Sequence, residues 1–520
     1  MQVIRILTSH LAAGFVLLLL GCTAGCQAAP QPPLPTQPAV PLEPTLPGQT
    51  LEVETGLPPP DALPQPPAGV EEPQTPQSAP STPVPMLDLA PVELLQPADF
   101  TYLGAFRLPD GSERPLTFEY GGNAMTFRPG DPGEGLPSSL FISGHDRMPY
   151  GDLPDGSQVA EVSIPQPSLA REVENLPQAQ FIQDFQDVTA GFYSTMEEIV
   201  RMGMQYLETQ PGGPKIHLAW GQHFEPEPPT GTHAWFNPDL SNPDLQGTWF
   251  IGEQSFYAVN DYLLDIPQDW ADSFVGGRSL ATGRYRDGGW SGMGPALFAY
   301  RPWLEDGTPP PSSTHLEEVT LLQYESSADN ENIERCLDGY QHPDDWAGGA
   351  WLMTADGRTA LLMAGTKSSG EKYWYGFTNP AGVEFPCVEE ELVGQFPICR
   401  LADGSPCPPE DLVECAGHNS FRGWWSTSFA AQFILYDPND LARVTLGELE
   451  PWQPQPYAVI NIDQQLFFNP PPWEVPMLGE GAQRRFRTGD VAYDRENGYL
   501  YVLELFGEGA KPVVHVWQVQ

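Results

Sequence analysis

From Phe100 onward, short apolar runs alternate with turns rich in Gly, Pro and Asp. That rhythm predicts an all-β chain. Two elements recur in a fixed order. The first is a strand that ends on a small residue and a polar cluster, as in Leu140–Arg147, Ile216–His223, Ser279–Arg286 and Leu361–Lys367; Leu500–Glu504 is a copy without the glycine. The second follows each of these and usually ends in proline: Val159–Pro165, His233–Pro238, Leu297–Pro302, Phe433–Pro438 and Val514–Trp517. A further strand precedes several copies of the first, at Gly121–Phe127, Gly348–Met353 and Asp490–Tyr493. Asp356-Gly357 and Asn497-Gly498 make the turns after the last two, because both residue types tolerate positive φ. Outer strands are expected at Gln180–Phe185, Thr248–Ile251, Val319–Tyr324 and Tyr457–Ile462.

The unit is thus four antiparallel strands, A to D, met about five times. Radial repetition of such sheets predicts a β-propeller of five blades, with six as the alternative count. The last unit shows A, B and C strands but no D. A strand at residues 100–108 precedes any A strand, so it is expected to pair with residues 513–519 and close the ring. Two insertions are expected. Ser194-Thr195-Met196-Glu197 reads as a capping box opening a helix that carries Met196, Ile199, Val200 and Leu207. Residues 378–425 form a Cys-rich loop with Cys387, Cys399, Cys407 and Cys415, for which disulfides are expected, sequential pairing being the weak preference and Cys336 left over. Zinc is disfavoured because no Cys-x-x-Cys spacing occurs.

The region before residue 97 has another character. Arg5 and the apolar run Leu11–Leu20, too short to span a bilayer, predict an export signal over residues 1–21. The run ends Leu19-Leu20-Gly21-Cys22, which resembles the lipobox of bacterial lipoproteins. That resemblance implies cleavage before Cys22, acylation of Cys22, and an extracytoplasmic protein held on the bacterial membrane or envelope by lipid. Residues 22–96 are expected to be a disordered tether. Residues 27–96 hold 20 Pro, no Lys or Arg and no aromatic residue, too little apolar surface to offset ordering entropy. In an extended polyproline form this stretch reaches on the order of 200 Å. The remaining residues, 97–520, resemble secreted bacterial β-propeller proteins in general.

Charge narrows the function. With 68 Asp+Glu against 24 Lys+Arg, the formal charge is −44. Nucleic acid is excluded as the main partner, since phosphate binding needs a basic face. The acidity also fits saline solvation or cation binding, a structural calcium included; no other cofactor and no dedicated metal site are expected, and the domain is read as a monomer. Histidines at 217, 223 and 233 with Glu225 are read as solvated rather than metal-bound. In a propeller the B–C and D–A connections share one face. That face is expected to carry His145, Asp146, Arg147, Gln222, His223, Arg284, Arg286, Lys367 and Glu504, with Glu119, Tyr120, Trp346 and Asp490. Arginine forks suit carboxylates and sulfates. The leading expectation is therefore a tethered binding protein for an anionic carbohydrate or cell-envelope polymer. Arg147, Arg284, Arg286 and Lys367 would hold acid groups, His145, Gln222 and His223 would line the site, and Trp346 or Tyr120 would stack. A glycoside hydrolase or lyase is the enzymatic alternative, with Asp146 paired with Glu504 or Glu119 as acid and base. An envelope scaffold that docks proteins is the third. Ion pairing of the basic residues with neighbouring carboxylates is the structural alternative to all three.

Overall fold

The computed structural model describes residues 89–133, 135–144, 156–195, 201–221, 229–284, 292–326, 335–370, 372–375, 389–393, 396–400 and 423–520. The expected export signal, Cys22 and most of the tether lie outside these residues. So do Cys387, Cys407 and Cys415; Cys399 falls in the strand Phe396–Arg400, paired with Glu389–Val393.

Five four-stranded antiparallel sheets form a five-bladed β-propeller. Blade one holds Met125–Arg128, Ser139–Ser143, Gln158–Ser163 and Phe181–Asp187 as strands A to D. Blade two holds Arg201–Leu207, Lys215–Gly221, His233–Phe236 and Gln246–Ile251. Blade three holds Leu263–Asp265, Leu280–Thr282, Leu297–Tyr300 and Glu318–Leu322. Blade four holds Asp345–Met353, Thr359–Ser368, Phe429–Tyr436 and Ala458–Asn461. Blade five takes Thr488–Asp494, Tyr499–Glu508 and Lys511–Val519 from the C-terminal end of the chain, and its outer strand is Phe100–Arg107. The closing register runs from Phe100 opposite Val519 to Arg107 opposite Val513, as the sequence predicts.

Each sheet lies between two others, so both of its faces are buried and its strands read as nearly continuous apolar runs. Alternation then assigns successive side chains to different neighbours. Leu140 and Ile142 pack with Tyr501, Leu503 and Val516 of blade five, whereas Phe141 between them packs with Met202, Met204 and Leu218 of blade two. Likewise Leu361 and Met363 face blade three while Leu362 faces blade five. Five such apolar layers fill the ring. Burial fades outward: blade four's B strand is buried almost throughout, and its D strand alternates between exposed and half-buried positions.

The innermost strands meet in ring order about the axis, and the approach is tight. A Cβ on Gly203 in blade two would collide with the carbonyl oxygen of Asp261 ahead of blade three, and one on Gly489 in blade five with that of Gly122 ahead of blade one. Glycine is what lets these backbones come together. Asp490 ties the same seam by accepting the amide of Met125 at 2.9 Å.

The helix expected from Ser194 to Leu207 is not formed. Phe192–Thr195 is a single 3-10 turn and Arg201–Leu207 is the inner strand of blade two; residues 196–200 are outside the described set. Met202 and Met204, two apart, both face blade one, so strand periodicity prevails over a helical pattern made of the same residues.

Edges are covered. Residues His315–Leu316, from the C–D connection of blade three, add a parallel fifth strand beside Phe250 and Ile251. Ahead of the closing strand, the chain straps blade four. Leu95 and Thr359 bond through their backbones, Tyr457 donates to the Leu95 carbonyl, Arg358 pairs with Asp99 at 2.6 Å, and the Leu95 side chain is fully buried. Among the described residues, no helix is long and apolar enough to cross a membrane.

Closure makes a prediction. Phe106 of the closing strand is fully buried between blades five and one, so Phe106→Ala should cost about 3–5 kcal/mol in urea unfolding. Deletion of residues 97–108 should unfold the ring cooperatively at a far lower midpoint; an unchanged melt would show that the ring does not depend on this strand.

Candidate functional site

The face that gathers the B–C and D–A connections is where chemistry was expected. Of the residues named for it, His145, Asp146, Arg147, Gln222, His223 and Arg286 lie outside the described residues. The others are placed, and several turn inward.

Arg284, at the end of blade three's B strand, is only 6% exposed. Its Nη1 donates to Asn260 Oδ1 at 2.8 Å, its Nε lies 3.8 Å from Asp261 Oδ2, and the guanidinium sits 5.4 Å from the Tyr257 ring centroid. Lys367 occupies the matching place in blade four. Its ammonium lies 3.0 Å from Asp344 and donates to the carbonyls of Gly339 at 2.6 Å and Ser368 at 2.9 Å, so its three protons are engaged. Both pairs join residues 23 apart, with one carboxylate ahead of strand A and one cation at or just beyond the end of strand B. This is a repeat feature that fixes two successive blades. The expectation that Arg284 and Lys367 present charge to an anion is corrected accordingly. Trp346 is corrected as well: at 1% exposure its ring belongs to the core between blades three and four and offers no stacking surface.

The carboxylates proposed for acid–base work divide similarly. Glu504 is fully buried, accepts the amides of Phe467 and Phe468, and bonds His515 Nε2 at 2.9 Å. His515 Nδ1 in turn meets the Tyr102 hydroxyl at 2.9 Å. A polar chain therefore runs from the closing strand through blade five into the connection after blade four, and Glu504 has no oxygen left for a substrate. Glu119 is exposed, and its backbone amide donates to the Thr117 hydroxyl at 3.2 Å. Asp490 is buried, holds two backbone amides, and has its acidity suppressed by burial. His217 and His233 are also interior, bonded to Gln210 and to Thr232 and Thr282, and burial holds both near a pKa of about 3, hence neutral. Among the described residues, no cluster has the make-up of a metal site.

One expected residue does sit in a surface constellation. Tyr120, ahead of blade one, is half-buried and donates to Glu474 Oε1 at 2.8 Å. Trp473 donates to the Tyr120 hydroxyl at 3.4 Å and is 72% exposed. The Phe506 ring meets Tyr120 edge-on at 5.9 Å, and the Arg484 guanidinium lies 5.5 Å from the Phe506 ring centroid. Arg485 stands 4.1 Å from the Phe486 ring, and Arg487 pairs with Asp463 at 2.8 Å beside Phe468. Arg484 is 2% exposed. Its Nη2 donates to the Leu505 carbonyl at 2.9 Å, but its Nε and Nη1 have no hydrogen-bond partner among the described residues. Burial lowers its pKa to about 10, against the opposing pull of Glu504, so it remains charged at neutral pH. Tyr120, Phe468, Phe486 and Phe506 all have φ between 52° and 61°, a costly conformation for large side chains. Such strain collects at functional sites.

The sequence contained two signals for this strip. Three arginines fall within four residues, Arg484 to Arg487, on a chain with few cations, and an exposed tryptophan follows Pro470-Pro471-Pro472. Both lie in the long connection between blades four and five, where no strand pattern draws attention.

Comparison with known proteins finds no family model that matches the chain and no curated protein that matches it.

The Asp344–Lys367 pair gives a pH test. Burial raises the Asp344 pKa from 3.8 to about 6, with Lys367 pulling the other way. The fold thus favours the protonated acid, and this group's contribution to stability is greatest below 3.8 and falls as pH rises to about 6. Lys367→Met should cost roughly 3 kcal/mol at neutral pH by leaving a buried charge alone. The cost should shrink toward about pH 5, as Asp344 protonates. Urea titrations at the two pH values measure the difference.

Proposed function

We propose that this protein is a binding protein lipid-anchored outside a bacterial cell membrane, and that its ring face holds an acidic carbohydrate of the envelope or surroundings. The observation that carries the reading is the strip from Trp473 through Tyr120 and Phe506 to Arg484. An exposed indole beside a tyrosine offers a flat apolar surface with polar edges, which suits a sugar ring. Arg484, buried against Phe506, remains charged at neutral pH and adds positive charge close behind this surface, which favours an acidic ligand through the local field rather than through a direct contact.

The interior position of Glu504 favours binding over glycoside cleavage, since an acid–base pair must reach the scissile bond. The scaffold alternative has no specific observation in its favour. A tethered binder also fits the sequence: the Pro-rich stretch of residues 27–96 would carry the ring away from the membrane, and the −44 charge would keep it from anionic lipid.

Two outcomes test this. Full-length protein in detergent should bind uronate-bearing or sulfated glycans on an array and release no product from them. Trp473→Ala should lower that signal at least about tenfold, because stacking surfaces dominate such contacts. Equal binding to neutral glycans, or an unchanged Trp473→Ala signal, would remove the assignment. Separately, Cys22→Ser should shift the protein from the membrane fraction to the soluble one; retention on membranes would rule out the lipid anchor.

A further inference from the structure

The opposite face carries a cavity. Three connections of blades two and three form an open cleft of about 370 Å³, lined by Thr209, Pro211, Gln268, Asp272, Arg301 and Trp303 together with Gly276 and Gly277. Its size falls in the lower part of the range of ligand pockets, about 300–1,000 Å³. It is built from elements that hold one another in place. Gly307, at φ 81°, packs against Pro211 of the neighbouring blade, and the helix Gln268–Phe274 ends at the glycine pair. Trp303 is anchored in the apolar layer between the two blades.

The chemistry of the lining is uneven. Arg301 is exposed and makes no ion pair among the described residues. Nearly every other arginine with a described side chain has a carboxylate, a carbonyl or an aromatic ring against it, as Arg284, Arg358, Arg484 and Arg487 do. On a chain of charge −44, an arginine that makes no ion pair among the described residues, in the same lining as an indole, leaves its fork open to an anion. Asp272 accepts from Gln268 Nε2 at 2.7 Å, which leaves the Gln268 carbonyl and the second Asp272 oxygen as acceptors for hydroxyls. One wall therefore offers a fork for a carboxylate, one an aromatic face, and one acceptors for alcohols.

The geometry points to a second ligand site in this cavity, for a single carboxylated sugar ring such as a uronate. Its carboxylate would meet the Arg301 fork, its ring C–H face would lie on Trp303, and its hydroxyls would reach Gln268, Asp272 and Thr209. This site lies on the face of the A–B and C–D connections, away from Trp473 and Arg484, and does not depend on them.

Calorimetry of full-length protein with sodium glucuronate, glucose and acetate tests the assignment. Glucuronate should bind with a dissociation constant below about 10 mM, and glucose and acetate each at least about tenfold more weakly. Arg301→Gln should weaken glucuronate at least about tenfold while leaving the melting curve unchanged, because the side chain is exposed. Arg301→Lys should restore only part of the affinity, since the fork is lost and the charge kept. Saturation-transfer NMR should place the sugar ring protons, rather than solvent-facing ones, against the protein. No heat with glucuronate, equal binding of acetate, or an Arg301→Gln variant that binds as the parent does would each overturn the site.

Discussion

The pairing of Phe100–Arg107 with Lys511–Val519 is the contact on which the other parts rest. A ring of sheets packs each blade against two neighbours only if the first and last strands meet. Without that pairing, blade five would lack its outer strand and the apolar layer between blades five and one would lose Phe106. The closing strand contributes polar order as well as area. Tyr102 lies in it, and through His515 and Glu504 it reaches the backbone of Phe467 and Phe468. The start of the connection that bears Trp473 and Arg484 is therefore positioned by Tyr102, 365 positions before Phe467 in the chain.

Charge in this protein is divided by depth. Most carboxylates give the chain its acidity, but several near the ring face are turned inward and serve as acceptors. Asp261 and Asp344 hold cations, Asp490 and Glu504 hold backbone amides, and Asp463 holds Arg487. Few cations remain available for other purposes. Arg301 differs from most of the rest in being exposed with no ion pair among the described residues. A surplus of acid sharpens this contrast, because a cation that avoids internal pairing in such a chain does so by placement.

Much of the fold could be read from the residues, and the limits have physical causes. The B and C strands were legible because two-sided burial makes continuous apolar runs with small residues at the ends. Ring closure was legible because a three-stranded last unit and an unpaired first strand complement each other. Arg201–Leu207 was misread since its methionines fit a helical stripe as well as a strand, and only a ring lacking an inner strand decides between them. Leu263–Asp265 went unseen because three residues carry no period. At the site, sequence located Arg284 and Lys367 at the ends of their B strands but not their carboxylates, which lie 23 residues earlier, ahead of the A strands. Trp346 looked like a stacking residue by its place in the repeat, whereas its depth makes it core. Tyr120 was identified, and its partners Trp473 and Glu474 were not, because they come from a different blade junction.

The strap of residues 89–99 over blade four gives the protein a mechanical character. Any pull arriving along the N-terminal segment meets the Leu95–Thr359 backbone bonds, the buried Leu95 side chain and the Arg358–Asp99 pair before it reaches Phe100. Tension is taken first by blade four, in the middle of the ring's sequence, and not by the pairing that closes it. Load on that segment would thus be shared among one buried side chain, one ion pair and a few backbone bonds before it reached the strand that closes the ring.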